Sequence, residues 1–254
     1  AYGTNGIITA LDFRLCPATD WRHVIVLFDG YEPALHSALA AHAAGLDCYL
    51  LSLVERRFAR FYRRLNGIFP EDRDAIFAMV APEAMAAFTA LVTKAGGQIA
   101  QDKSLSEIEA ANLPPAWQCG WNHTTLQALK HEPGVWTYSQ VAYPQPFDPA
   151  LVRAQMARSG DEVYWHHEIA MMNGRLQVFA IPLVRWTTEA RIRALNAEIE
   201  DMDGCTIFDP HAVTIEDGGM KQIDTSQIDF KRQADPSGLT NPGKTRGWSP
   251  DMAV

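Results

Sequence analysis

Residues 162–185, EVYWHHEIAMMNGRLQVFAIPLVR, decide the fold. Two runs rich in β-branched and aromatic side chains flank Asn173-Gly174, a pair that readily takes the left-handed backbone of a tight two-residue turn, so the segment reads as a β-hairpin. Downstream, residues 188–202 have helical spacing with Thr187 or Thr188 as N-cap, and residues 204–208 begin another strand. Upstream, residues 148–159 read as a helix with Asp148 as N-cap and Pro149 at its first position, preceded by a strand over 136–143. The order is strand, helix, strand, strand, helix, strand.

The first half of the chain repeats it. HVIVLFD (23–29) is strand-like, 32–44 is Ala- and Leu-rich at helical spacing, and 46–54 is again a strand. ERRFARFYRRL (55–65) puts Phe58, Phe61, Tyr62 and Leu65 on one face and predicts an inserted amphipathic helix. A strand at 74–80, a helix at 82–95, a Gly96-Gly97 stop and a strand at 98–101 complete the half. The simplest account is an α+β protein of two ferredoxin-like βαββαβ units, their sheets joined edge to edge into one wide antiparallel sheet with helices on one face. Residues 5–15 alternate as a strand would, but without a sheet of their own, so residues 1–20 are expected to be poorly supported or otherwise paired. Residues 209–219 read as loop, 222–234 as helix, and the tail from 235 as irregular.

At 254 residues and 47% hydrophobic content the chain can bury a real core. A net charge of −8 argues against a nucleic-acid partner, and no apolar run approaches the roughly 20 residues of a membrane span. Cys16, Cys48, Cys119 and Cys205 lack metal-site or redox spacing, so reduced, mostly buried thiols and a cytoplasmic location are expected.

Two end segments carry a resemblance. Gly3-Thr4-Asn5-Gly6-Ile7-Ile8-Thr9, and Phe230-Lys231-Arg232 followed by Asp235-Pro236-Ser237-Gly238-Leu239-Thr240-Asn241-Pro242-Gly243-Lys244, resemble motifs of FAD-linked oxidases of the vanillyl-alcohol oxidase type. The resemblance implies that residues 1–20 are the last strand of an FAD-binding domain whose main part is absent, that 21–208 form the substrate (cap) domain, and that 209–254 return to the flavin. It implies FAD as cofactor and hydride transfer from an alcohol or hydroxy acid to flavin N5. A homo-oligomer or an electron-transfer partner would fit. It also implies that Gly3, Thr4, Gly6, Ile7, Ile8 and Thr9 run along the cofactor, although alone they are expected to bind nothing. Asn241 or Lys244 would stabilise the reduced ring. A rival reading is a non-catalytic ferredoxin-like module that binds a ligand or partner.

Trp121-Asn122-His123-Thr124-Thr125 resembles a substrate-domain segment of bacterial members of that family. A histidine beside an amide and hydroxyls can take a hydroxyl proton, which makes His123 the first catalytic candidate, with Trp121 and Asn122 at the substrate. A hydrogen-bonded histidine in an interdomain loop is the alternative. His211 and Glu216, in Asp209-Pro210-His211 and Glu216-Asp217-Gly218-Gly219, are further catalytic candidates, against a plain acidic turn. In Trp165-His166-His167-Glu168 adjacent histidines on a strand point to opposite faces, so no shared metal is expected and only one of them, taken as His167, with Glu168 or a partner from elsewhere, can face a substrate cavity. Arg56, Arg57, Arg60, Arg63 and Arg64 form a basic face. Solvation is the default there, with a dimer contact or an anionic-substrate funnel as alternatives.

Overall fold

The structure, a computed structural model, describes residues 2–219 and 222–248. It divides into two units, Ala18–Thr206 and a smaller one made of Ala1–Pro17 with Ile207–Val254.

The large unit opens with β1 (Arg22–Phe28), α1 (Tyr31–Ala43), β2 (Cys48–Val54), β3 (Asp74–Val80), α2 (Met85–Lys94) and β4 (Gln98–Lys103). The short α3 (Leu105–Ala110) follows, opened by a capping box of Ser104 and Glu107, and then α4 (Asn122–His131). After it come β5 (Trp136–Tyr138), β6 (Gln140–Ala142), α5 (Pro149–Ser159), β7 (Val163–Tyr164), β8 (His166–Met172), β9 (Arg175–Ala180), β10 (Leu183–Arg185) and α6 (Glu189–Asp203). Strand β11 (Thr206–Phe208) straddles the division, and α7 (Thr225–Ala234) belongs to the small unit.

Within the large unit the antiparallel sheet runs β6-β9-β8-β2-β3-β1-β4. The hairpin forms as read, with Asn173 and Gly174 at φ +52° and +74°. Asp148 caps α5 through Ala150 N, and Thr188 rather than Thr187 caps α6.

Three expected strands each break in two. Residues 136–143, 162–172 and 175–185 part at Ser139, Trp165 and Ile181-Pro182, and the outer pieces form a second sheet, β5-β10-β7. Proline 182 has no N–H for a ladder, which fits one of the three breaks. The inserted helix at 55–65 also differs: it is two 3-10 turns, Arg56–Phe61 and Arg63–Leu65, broken at Tyr62 (φ −90°, ψ 57°). Its buried side chains still include Phe58, Phe61, Tyr62 and Leu65, because a three-residue turn repeats the 58–61 and 62–65 spacing.

Strand β3 is buried at every position and β1 at all but its first, so both faces of the sheet need cover. Helices α1 and α2 cover one; the Cβ that Gly97 lacks would lie 2.7 Å from Phe28 and 2.8 Å from Val26 and the Val92 carbonyl. Expected on one face only, the cover continues on the other. There Ile25, Leu27 and Phe77 pack with Phe58, Phe61 and Tyr62 of the 3-10 turns, Ala128 of α4, and Trp136 and Tyr164 of the second sheet. Each fully buried phenylalanine here stabilises by about 1.5–3 kcal/mol. Of the cysteines, all free, Cys119 and Cys205 are buried, Cys48 is half-buried and Cys16 exposed.

In the small unit the strand read at 5–15 does not form. Residues 6–15 have no regular structure, and Ile7, Leu11, Phe13 and Leu15 are all more than 60% exposed.

Candidate functional site

The small unit brings its two end segments together around one lysine. Lys231 is only 1% exposed, and a cation is that deeply buried only when paired. Its Nζ donates to Thr4 O (2.6 Å), Asp235 Oδ2 (2.7 Å) and Thr240 O (2.8 Å), and lies 4.4 Å from the centre of the Trp248 ring. Helical spacing from 231 to 235 puts the carboxylate within reach. Asp235 also accepts from the backbone N–H of Leu239 and Thr240 (2.9 Å each). The lysine, with the Thr240 hydroxyl and these amides, holds its carboxyl far below the usual range. Gly238 (φ +63°) is required twice over, since an added Cβ would fall 1.8 Å from Trp248.

The sequence candidates of this unit hang on that knot and on the 209–219 loop. Asn241 (φ +45°) donates from Nδ2 to Tyr2 O (2.8 Å), next to Gly3 and Thr4. Lys244 Nζ reaches Ala212 O (3.3 Å), and its carbonyl accepts from Ile215 N (2.9 Å). Glu216 Oε1 accepts from Arg246 N (3.1 Å), while its buried Oε2 has no partner among the described residues. His211 N donates to Asp209 Oδ1 (2.8 Å). Glycines 3 and 6 have φ of +69° and +139°, and nothing lies within 4 Å of the Cβ that Gly6 lacks. Ile7 and Ile8 are exposed, and Thr9 is exposed beside them.

In the large unit Trp121-Asn122-His123 is the start of α4, with all three side chains exposed and Thr124 and Thr125 buried. Trp121 has φ +51° and ψ −143°, a backbone state that costs a bulky residue about 1–3 kcal/mol and persists only where its surroundings impose it. Glu168 imposes it: Oε1 accepts from Trp121 N (2.5 Å) and from Ser52 Oγ (2.7 Å). Burial, against those two hydrogen bonds, raises this carboxyl to about 8, so the protonated form predominates at pH 7. His166, on the same face, is wholly buried with its ring against Phe58, and burial lowers it to about 3.

His167 turns to the opposite face, as neighbouring strand residues must. Expected to face substrate, it is 0% exposed and bridged between Tyr31 (2.6 Å at Nδ1) and Tyr143 (2.8 Å at Nε2). Burial lowers it too to about 3. Tyr143 passes the chain of bonds to Gln155, then to Asp203 (2.9 Å), which Arg158 neutralises. This is a satisfied core network.

Sequence reasoning missed Lys231 as an organising residue and read Glu168 as a companion of the substrate-facing histidine, not as the acceptor beneath the Trp121 turn. The signals existed: the 231/235 spacing for the first, and a carboxyl two residues from His166 within an apolar strand for the second.

No family model matches the sequence, and no curated protein matches it. Solved structures with a similar fold do exist. Alkyldihydroxyacetonephosphate synthase in one crystal form aligns at TM-score 0.52 and 9% identity over 87% of this chain and 43% of that one. A second crystal form aligns at 0.52 and 8%, over 89% and 45%. Xylooligosaccharide oxidase from Myceliophthora thermophila C1, in complex with xylobiose, aligns at 0.50 and 9%, over 93% and 56%. The likeness is one of fold, and the chain spans 43–56% of the length of these proteins.

Proposed function

We propose that this chain is the substrate-binding part of an FAD-dependent oxidoreductase acting on an alcohol or hydroxy acid, with two ferredoxin-like halves making its sheet. The observation that carries the reading is the Lys231 knot, which sets the two segments that resemble flavoenzyme motifs side by side. The fold likeness, which includes an oxidase by name, supports it.

The residues suit the cofactor. Gly6 offers bare backbone for close approach of a dinucleotide, Lys244 has donor capacity left beyond its 3.3 Å contact among the described residues, and Asn241 is held beside Gly3. When bound, FAD supplies the hydride acceptor. His123, whose ring is exposed at the start of α4, takes the hydroxyl proton, and Trp121 and Asn122 orient the substrate. His211 and Glu216 form a second set of acid–base groups in the small unit. Glu168 touches no substrate; it fixes the backbone from which these side chains project.

The test is the visible absorption of the natural gene product before and after anaerobic addition of aromatic alcohols and of hydroxy acids. Bleaching of a flavin band by one class supports the reading and names the substrate type. A gene product that carries no flavin and takes none up overturns it in favour of a ligand- or partner-binding module.

A further inference from the structure

The five arginines of residues 56–64 do not share one fate. Arg56 pairs with Asp74 (2.7 Å), Arg57 with Glu55 (2.7 Å) and Arg60 with Glu132 (3.1 Å). Arg63 has no carboxylate partner among the described residues, and Arg64 spends one amino group on the neutral Asn112, 2.6 Å from its carbonyl and 3.0 Å from its side-chain oxygen. Both line a cleft of about 240 Å³ together with Gln118, Gln127, Lys130 and His131. Lys130 also lacks a carboxylate partner among the described residues, and no Asp or Glu lines the cleft. Glu132, next in sequence to His131, is engaged by Arg60 and by the Trp136 indole (2.7 Å).

In a chain of net charge −8, Arg63, Arg64 and Lys130 thus gather in one concave place without a carboxylate partner among the described residues. Burial first, then Arg63 and Lys130, hold the His131 imidazole below its ordinary value, against a backbone hydrogen bond at Phe61 and the Glu132 carboxylate. Two guanidinium groups, an ammonium, two amides and an imidazole offer more donors than the two oxygens of one carboxylate can use, and they suit the three outer oxygens of a phosphate. The volume takes a phosphate and a few carbons, less than the roughly 300 Å³ at which drug-sized pockets begin.

We propose that this cleft is a binding site for a small phosphate monoester, independent of the flavin reading. Arg63 and Lys130 supply the charge, Arg64 the fork that Asn112 holds in place, and Gln118 and Gln127 the neutral donors.

The experiment is an NMR titration of the full chain at fixed ionic strength, following the His131 ring signals, with glycerol phosphate, inorganic phosphate and succinate as probes. Glycerol phosphate should saturate with a Kd at or below about 1 mM, and succinate should bind at least about tenfold more weakly. Arg63→Gln/Lys130→Gln should weaken the ester at least about tenfold, while Arg153→Gln/Arg193→Gln, with the same loss of charge elsewhere on the surface, should not. No saturation by the ester up to about 50 mM overturns the proposal. So does equal affinity for succinate, tighter binding of inorganic phosphate than of the ester, or an unchanged affinity in the cleft variant. If that double variant loses its thermal transition, Lys130→Gln alone is read by the same criteria.

Discussion

Two buried acids, Asp235 in the small unit and Glu168 in the large one, meet opposite fates. Asp235 has a lysine at 2.7 Å and stays ionised far into acid; Glu168 has a hydroxyl, an amide and, 3.7 Å away, the ring of His166, which burial keeps neutral, and it keeps its proton to about pH 8. Burial alone favours the neutral form; at Asp235 the lysine, with the Thr240 hydroxyl and two backbone amides, reverses that, and at Glu168 one hydroxyl and one amide do not. The first arrangement ties distant segments by charge, whereas the second holds a backbone turn without any.

Removing the countercharge tests the first arrangement directly. Lys231→Met leaves Asp235 without its cation and cuts the bonds to Thr4 and Thr240. Hydrogen exchange at the Leu239 and Thr240 amides should accelerate by roughly tenfold or more; unchanged protection would mean that the knot does not hold the tail. Glu168→Ala should cost about 2–4 kcal/mol in urea unfolding, because the Trp121 N–H and Ser52 hydroxyl lose their acceptor. Glu168→Gln should cost far less, since the protonated form of the native group already predominates at pH 7. Equal losses in the two variants would show that the acid is charged.

The pH dependence sharpens the same contrast. His166 and His167, lowered from 6.5 to about 3, bind protons in the unfolded chain first, so their contribution to stability rises with pH between about 3 and 6.5. Glu168, raised from 4.5 to about 8, is protonated in the folded chain while ionised in the unfolded one, so its contribution falls across that window. Glu55, raised to about 7 by burial against its bonds to Arg57, acts the same way over a shorter range. Above pH 7 Glu168 has the largest slope of these groups, at no more than about 1.4 kcal/mol per pH unit, and Glu55 adds a smaller one that fades by about pH 8. Urea midpoints should decline from pH 7 to 8 in the native chain and decline distinctly less in Glu168→Gln. The smallest effect on stability belongs to His123→Ala, within about 0.5 kcal/mol for an exposed side chain. The same change should slow substrate reduction of the flavin by about a hundredfold or more; unchanged kinetics would remove His123 from the chemistry.

What could be read from the amino acids alone was local. Asn173-Gly174, Asp148-Pro149 and Thr188 act within a turn of themselves, so hairpin and caps were legible. The breaks at Ser139, Trp165 and Ile181 depend on two sheets sharing three chain segments, a long-range register that periodicity does not carry. Residues 55–65 misled because 3-10 and α turns bury nearly the same positions over so short a run. The WNHTT run was noticed for its chemistry, but the strained turn beneath it needs Glu168, 47 residues away.

The bare run at residues 6–15 has a practical consequence. Ile7, Leu11, Phe13 and Leu15 lie open to water beside unladdered backbone, with no proline before Pro17. Such a run is a template for intermolecular strand addition, tempered here by Asp12 and Arg14 set between the apolar positions. Solutions of this chain should therefore self-associate as concentration rises, and a charge placed at Phe13 should keep them clear.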